Sequence, residues 1–102
     1  MPLLIEQDYP ELAEICRRHK VLRLELFGSA AREGLAPEVN DVDFLVEFLP
    51  LQPGEHADAY FGLLDALERL FSRPVDLVMT RAVRNPYFLE SIQDSRRVVY
   101  AT

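Results

Sequence analysis

The fold is decided by residues 27–48, FGSAAREGLAPEVNDVDFLVEF. This stretch begins where an alternating segment, Val21–Phe27, stops at a Gly-Ser pair, and it ends in a second alternating segment over 41–48. An apolar–polar period of two is typical of a half-buried β-strand. The stretch therefore predicts two strands, joined by a short helical piece over 30–33 and a loop rich in turn-forming residues.

The alternation also assigns the two faces of each strand. In the first strand it predicts Leu22, Leu24 and Leu26 on one face, with Arg23 and Glu25 on the other. In the second strand the apolar face carries Val42, Phe44, Val46 and Phe48, and the opposite face carries Asp41, Asp43, Leu45 and Glu47.

Further helices and strands are predicted on either side of this stretch. They are a helix over 10–19, an amphipathic helix over 57–71, a strand at Val75–Met79, a helix from 85 or 86 to 93, and an edge strand over 98–100. The apolar face of the amphipathic helix is predicted to carry Ala57, Tyr60, Phe61, Leu64, Leu67, Leu70 and Phe71. This order predicts the α/β (α+β) class, with a small mixed β-sheet backed by helices in one domain over 1–102.

The composition indicates one small acidic protein. Its 102 residues are 49% hydrophobic, enough for one core. The 17 acidic residues exceed the 11 basic ones, and a net charge of −6 disfavours a nucleic-acid partner. A single cysteine excludes an internal disulfide, and no apolar run approaches the length of a membrane span, so we expect no membrane association and a cytoplasmic location.

Three acids on predicted strands are candidate metal ligands. Asp41 and Asp43 are two residues apart, so their side chains leave the same face with Cα atoms about 7 Å apart. Asp76 lies within an otherwise apolar strand, where an unpaired acid is costly if buried. If the two strands are neighbours, the acids could hold two Mg²⁺ ions about 4 Å apart, as in phosphoryl or nucleotidyl transfer. Solvated acids, or an ion pair of Asp76 with Arg23 or Arg73, are the structural alternatives.

The Gly-Ser pair at the end of the first strand is a candidate anion site. Gly28 allows close approach of the backbone, and Ser29 adds a hydroxyl beside the N–H groups that open the next helical turn. Arg32, one turn on, could face the same phosphates. Ordinary turn chemistry explains the same pattern.

Taken together, the Gly-Ser pair, Arg32, the D-x-D strand and the lone strand aspartate Asp76 resemble the DNA polymerase beta-like nucleotidyltransferase superfamily. Within it, the chain looks like the minimal nucleotidyltransferase (MNT) antitoxins of HEPN/MNT toxin–antitoxin systems. The resemblance implies that Gly28, Ser29 and Arg32 bind the nucleotide, and that Asp41, Asp43 and Asp76 are catalytic and bind metal. Relative to the family pattern, the connection from Gly28 to Asp41 is about one residue longer.

The resemblance also implies an activity and a partner. The expected reaction transfers AMP from ATP, with Mg²⁺, to a hydroxyl of a HEPN RNase toxin, usually a tyrosine, within a toxin–antitoxin complex of the type VII kind. One alternative is an antitoxin that neutralises its toxin by binding alone. A nucleotidyltransferase for a small molecule is a third possibility, but its usual acceptor-binding helical domain does not fit within 102 residues.

Overall fold

Two helices and four strands make up the part of the chain that the computed structural model describes, which is residues 9–28, 41–79, 87 and 96–102. In chain order the elements are α1 (Tyr9–Arg18), β1 (Val21–Phe27), β2 (Val42–Phe48), α2 (Glu55–Phe71), β3 (Val75–Met79) and β4 (Arg97–Ala101). The predicted helical piece over 30–33 lies outside these residues, as does the predicted helix ending at 93 apart from Tyr87.

The strands form one mixed sheet in the order β3-β2-β1-β4. β1 pairs antiparallel with both β2 and β4, whereas β2 and β3 are parallel. A parallel pair needs a crossover connection, and α2 supplies it between β2 and β3. The predicted class, a small mixed sheet backed by helices, is confirmed.

Both helices pack on the same face of the sheet. The core joins Leu12, Ile15 and Cys16 of α1 with Leu63, Leu67 and Phe71 of α2, over Leu24, Leu26, Val42, Phe44, Val46 and Leu77 of the strands. Burial raises the pKa of the Cys16 thiol to about 12, so this cysteine is an inert core residue. Neither helix within the described ranges is long and apolar enough to span a membrane.

A register irregularity in β1 corrects one of the predicted faces. The pairing of β1 with β2 shifts between Val21 and Arg23. As a result Val21 is in the core at 1% exposure, while Leu22 is only half-buried. Regular alternation predicted Leu22 on the apolar face. That prediction is wrong, because a bulge changes the face of every residue before it.

The apolar face of α2 also differs from the prediction at three positions, Ala57, Phe61 and Leu63. Ala57 was predicted on this face but is exposed. Leu63 is fully buried, whereas Phe61 is 63% exposed and packs edge-on against Tyr60 with ring centroids 5.1 Å apart. Leu63, Leu67 and Phe71 follow each other at four-residue intervals, so they form the stripe that faces the sheet.

Glu25 carries the one buried charged side chain within the described ranges, at 4% exposure. Arg96 Nε donates to Glu25 Oε2 at 2.6 Å, and Arg23 Nε lies 2.8 Å from Glu25 Oε1. The ion pair with Arg96 thereby links β1 to the residue that precedes β4.

Arg96→Ala is expected to destabilise the fold by about 2 kcal/mol, because removing one partner leaves a buried carboxylate incompletely compensated. The figure lies below that for a fully buried pair because the Arg96 side chain is 31% exposed and Arg23 remains. Urea unfolding measures it, with Arg69→Ala as the control. Arg69 pairs with Asp65 on the surface of α2, and its loss should cost at most about 0.5 kcal/mol. Equal losses of stability in the two variants would show that Arg96 does not compensate the buried Glu25 carboxylate.

Candidate active site

Asp43 and Asp76 are brought side by side by the parallel pairing of β2 and β3. They are register partners, and Phe27 of β1 is the register partner of Asp43 on the other side. Neighbouring strands lie about 4.8 Å apart, and partners in register direct their side chains to the same face. Since Val42 and Phe44 point into the core, Asp43 points to the face of the sheet away from the helices. The two acids therefore share that face.

Asp41 joins this group from the residue before β2. Its side chain is exposed, as is that of Asp76, whereas Asp43 between them is half-buried. The predicted cost of a buried Asp76 therefore does not arise. Arg23, one of its two possible partners, is paired with Glu25 instead.

Asp43 is the acid whose pKa is affected by both of the others. Partial burial raises the pKa of Asp43, and the nearby charges of Asp76 and then Asp41 raise it further. In residues 9–28, 41–79, 87 and 96–102, however, no three carboxylate, imidazole or thiol groups converge at the spacing of metal ligands. The fold thus places the acids as neighbours on one face, and their side chains do not meet at one point.

The donor chemistry of this group fits a hard divalent cation. All three side chains offer carboxylate oxygens, the ligands that Mg²⁺ takes from proteins. Partial burial is the main reason why the pKa of Asp43 is raised, and repulsion from Asp76 and Asp41 adds to it. A cation between the acids would remove the cost of this repulsion.

Gly28 is packed directly against Asp43. It has a left-handed backbone, with φ of 75°, and a Cβ atom added there would lie 2.5 Å from Asp43 Oδ2. Only glycine therefore allows the chain to turn at the end of β1 while the Asp43 carboxylate keeps its place. Ser29 and Arg32, the other predicted nucleotide-binding residues, lie outside the described residues.

Two residues with contacts beside this group were not predicted from the sequence. Tyr60 and Glu68, both on α2, hydrogen-bond to the backbone of β3 on either side of Asp76. Their positions in the sequence indicated only an amphipathic helix. Contacts of this kind depend on how the helix packs, for which the sequence offers no local signal.

Asp43→Asn is expected to stabilise the protein at neutral pH when no divalent cation is present. A carboxyl group whose pKa is raised in the folded state destabilises the fold once the pH exceeds that pKa, and this cost vanishes below the ordinary aspartate pKa. Removing a like charge opposite another on paired strands should gain about 0.2 to 1 kcal/mol. Urea unfolding at pH 7 and pH 4 with a chelator present tests this, and the gain should shrink at pH 4. If Asp43→Asn clearly lowers the stability at pH 7, the prediction is wrong and the Asp43 carboxylate stabilises the fold.

A strand-turn motif beside paired strand aspartates, on the face of a mixed sheet opposite its two helices, is the arrangement of a nucleotidyl-transfer domain. A family model described as "Nucleotidyltransferase domain" matches residues 10–99 of the chain. The chain belongs to this nucleotidyltransferase family.

Relatives in an archaeon are similar over most of their length. Two proteins of Methanocaldococcus jannaschii, both named as candidate protein adenylyltransferases, are 35% and 37% identical to the chain. Each alignment covers 82% of this chain and 90% of the relative.

Solved structures share the fold. A candidate minimal nucleotidyltransferase superposes with a TM-score of 0.70 at 31% identity, covering 91% of this chain and 90% of that one. A chain from the complex of tri-AMPylated Shewanella oneidensis HEPN toxin with its MNT antitoxin gives a TM-score of 0.65 at 18% identity, covering 97% and 74%. A chain from a toxin–antitoxin structure with AMP-PNP gives 0.67 at 20% identity, covering 93% and 74%.

Proposed function

We propose that this protein is an antitoxin that transfers AMP from ATP, in a Mg²⁺-dependent reaction, to a hydroxyl of a HEPN-family RNase toxin and so silences it. A tyrosine is the expected acceptor. The observation that carries the proposal is the pairing of Asp43 with Asp76 in register, beside a glycine whose place no other residue can take without displacing Asp43. The names of the archaeal relatives and the AMPylated toxin in the Shewanella complex support the choice of nucleotide and acceptor.

Each residue of the site has a role in this reaction. Asp41, Asp43 and Asp76 would hold Mg²⁺, which supplies charge neutralisation for the triphosphate and for the charge that develops during transfer. Gly28 allows the turn after β1 to approach the phosphates, with Ser29 and Arg32 as the proposed donors to them.

Asp76 is the proposed acceptor of the proton. Its exposed carboxylate shares a face with Asp43, where the toxin hydroxyl can approach. As the hydroxyl oxygen bonds to the α-phosphorus, the bond to the bridging oxygen of the β-phosphate breaks. Pyrophosphate leaves with that oxygen, and the hydroxyl proton passes to the Asp76 carboxylate.

The acidic character of the chain agrees with a protein acceptor. With a net charge of −6, the protein is unsuited to hold a nucleic-acid strand, whereas a hydroxyl on a partner protein needs no basic channel. We propose that the toxin brings its hydroxyl to the exposed carboxylates of Asp41 and Asp76, in a complex of the two proteins.

The test is transfer of label from α-labelled ATP to the cognate toxin in the presence of Mg²⁺. Mass spectrometry should show the toxin heavier by one or more AMP units. An analogue with a methylene group between the α- and β-phosphates should give no product. The alternative, neutralisation by binding alone, predicts an unmodified toxin that is nonetheless inactive.

A further inference from the structure

The outer edge of β3 is held by two side chains of α2, and the two contacts flank Asp76. The N–H of Val75 donates to Glu68 Oε2 at 3.0 Å, and the Tyr60 hydroxyl donates to the carbonyl of Leu77 at 2.5 Å. Val75 and Leu77 are the residues immediately before and after Asp76.

The contacts fit the geometry of an edge strand. Residues of a strand direct their backbone polar groups alternately to its two edges, so those of Val75 and Leu77 point to the same edge. The backbone N–H and carbonyl of Asp76 point to the opposite edge, toward β2, where Asp43 is its register partner. In the described sheet β3 has β2 as its one strand neighbour and is only five residues long. Two of its outer groups, the N–H of Val75 and the carbonyl of Leu77, have their partners on α2.

The position of the Asp76 carboxylate follows from that of its backbone. Its side chain is exposed, so packing does not fix it. By contrast, Tyr60 is half-buried against the core and Glu68 is half-buried on the same helix. The helix therefore offers β3 two ordered anchors, one on each side of the acid.

We propose that Tyr60 and Glu68 are positioning residues for Asp76. By fixing the backbone of β3 on both sides of this acid, they set its separation from Asp43 and hence the affinity of the acids for Mg²⁺. This rests on the proposed function, in which Asp76 binds metal.

Removing either anchor should weaken Mg²⁺ binding. Loss of a residue that orients a metal ligand costs about 10- to 100-fold in affinity when it contacts the ligand itself, and less is expected through the backbone. Tyr60→Phe and Glu68→Ala should each raise the Mg²⁺ concentration for half-saturation by about three- to tenfold. Glu68→Gln retains a side-chain oxygen as acceptor, so it should remain within about twofold of the wild type.

The experiment follows thermal stability during Mg²⁺ titration, with saturating methylene-ATP present so that no turnover is needed. Asp65→Asn is the matched control, since Asp65 pairs with Arg69 on the exposed side of the same helix. A purely structural role would lower the melting temperature of a variant without moving its Mg²⁺ midpoint.

Two outcomes would overturn the proposal, and they can be told apart. If the wild type responds to Mg²⁺ but Tyr60→Phe and Glu68→Ala share its midpoint, positioning through β3 is wrong and the proposed function is unaffected. If the wild type shows no response to Mg²⁺, the metal site itself is wrong.

Discussion

Asp43→Asn is expected to reduce AMP transfer to the toxin by about a thousandfold, since a metal ligand lost from the transition state is worth on the order of 4 kcal/mol. The substitution keeps the shape of the side chain and removes its charge. Because Asp43 sits between two other acids, its loss also removes the residue that links them. Single-turnover rates with labelled ATP measure the effect, alongside unfolding curves that verify the fold.

Glu47→Gln is the matched control for this variant. Glu47 lies on the same strand and the same face as Asp43, four residues further along, and its side chain is exposed. The substitution likewise converts an acid to its amide, so it tests whether loss of charge alone matters. Transfer should stay within about twofold of the wild type. Comparable losses in the two variants would show that general electrostatics, rather than a metal site, supports the reaction.

Gly28→Ala is expected to lower the transfer rate by about a hundredfold, the scale of loss when a reacting group moves by about 1 Å. The new Cβ would lie 2.5 Å from Asp43 Oδ2, which is shorter than a van der Waals contact. The carboxylate must therefore move. The left-handed backbone adds about 1 kcal/mol of destabilisation.

Gly54→Ala separates these two causes. Gly54 also has a positive φ, of 90°, but a Cβ there meets no atom within 4 Å. This control should lose a similar amount of stability through its backbone and keep its transfer rate. If Gly28→Ala is equally active, or if Gly54→Ala is equally impaired, the contact between Gly28 and Asp43 has no part in the reaction.

The strands were predictable because their patterns are local. Alternation located β1 and β2, and an apolar run located β3. The bulge between Val21 and Arg23 was not predictable, since it depends on pairing with another strand. Nor was the burial of Glu25, which requires Arg96 from the far end of the chain to come alongside.

The site divides in the same way. The spacing of Asp41 and Asp43 predicted that they share a face, because the period of a strand is fixed. Asp76 stands opposite Asp43 because of the crossover through α2. From the sequence, this neighbourhood followed only on the assumption that the two strands are adjacent. The contacts of Tyr60 and Glu68 with β3 needed the packed structure, because helical periodicity does not tell which backbone groups a helix side chain reaches.

Covalent silencing of the toxin is the central claim, and the RNase activity of the toxin after the antitoxin has been removed tests it most directly. The toxin is incubated with this protein, ATP and Mg²⁺, separated from it under denaturing conditions and refolded, with a parallel sample that lacks ATP. Our account predicts that the toxin stays inactive only when ATP was present. Full recovery of RNase activity in both samples would contradict it and favour neutralisation by binding alone.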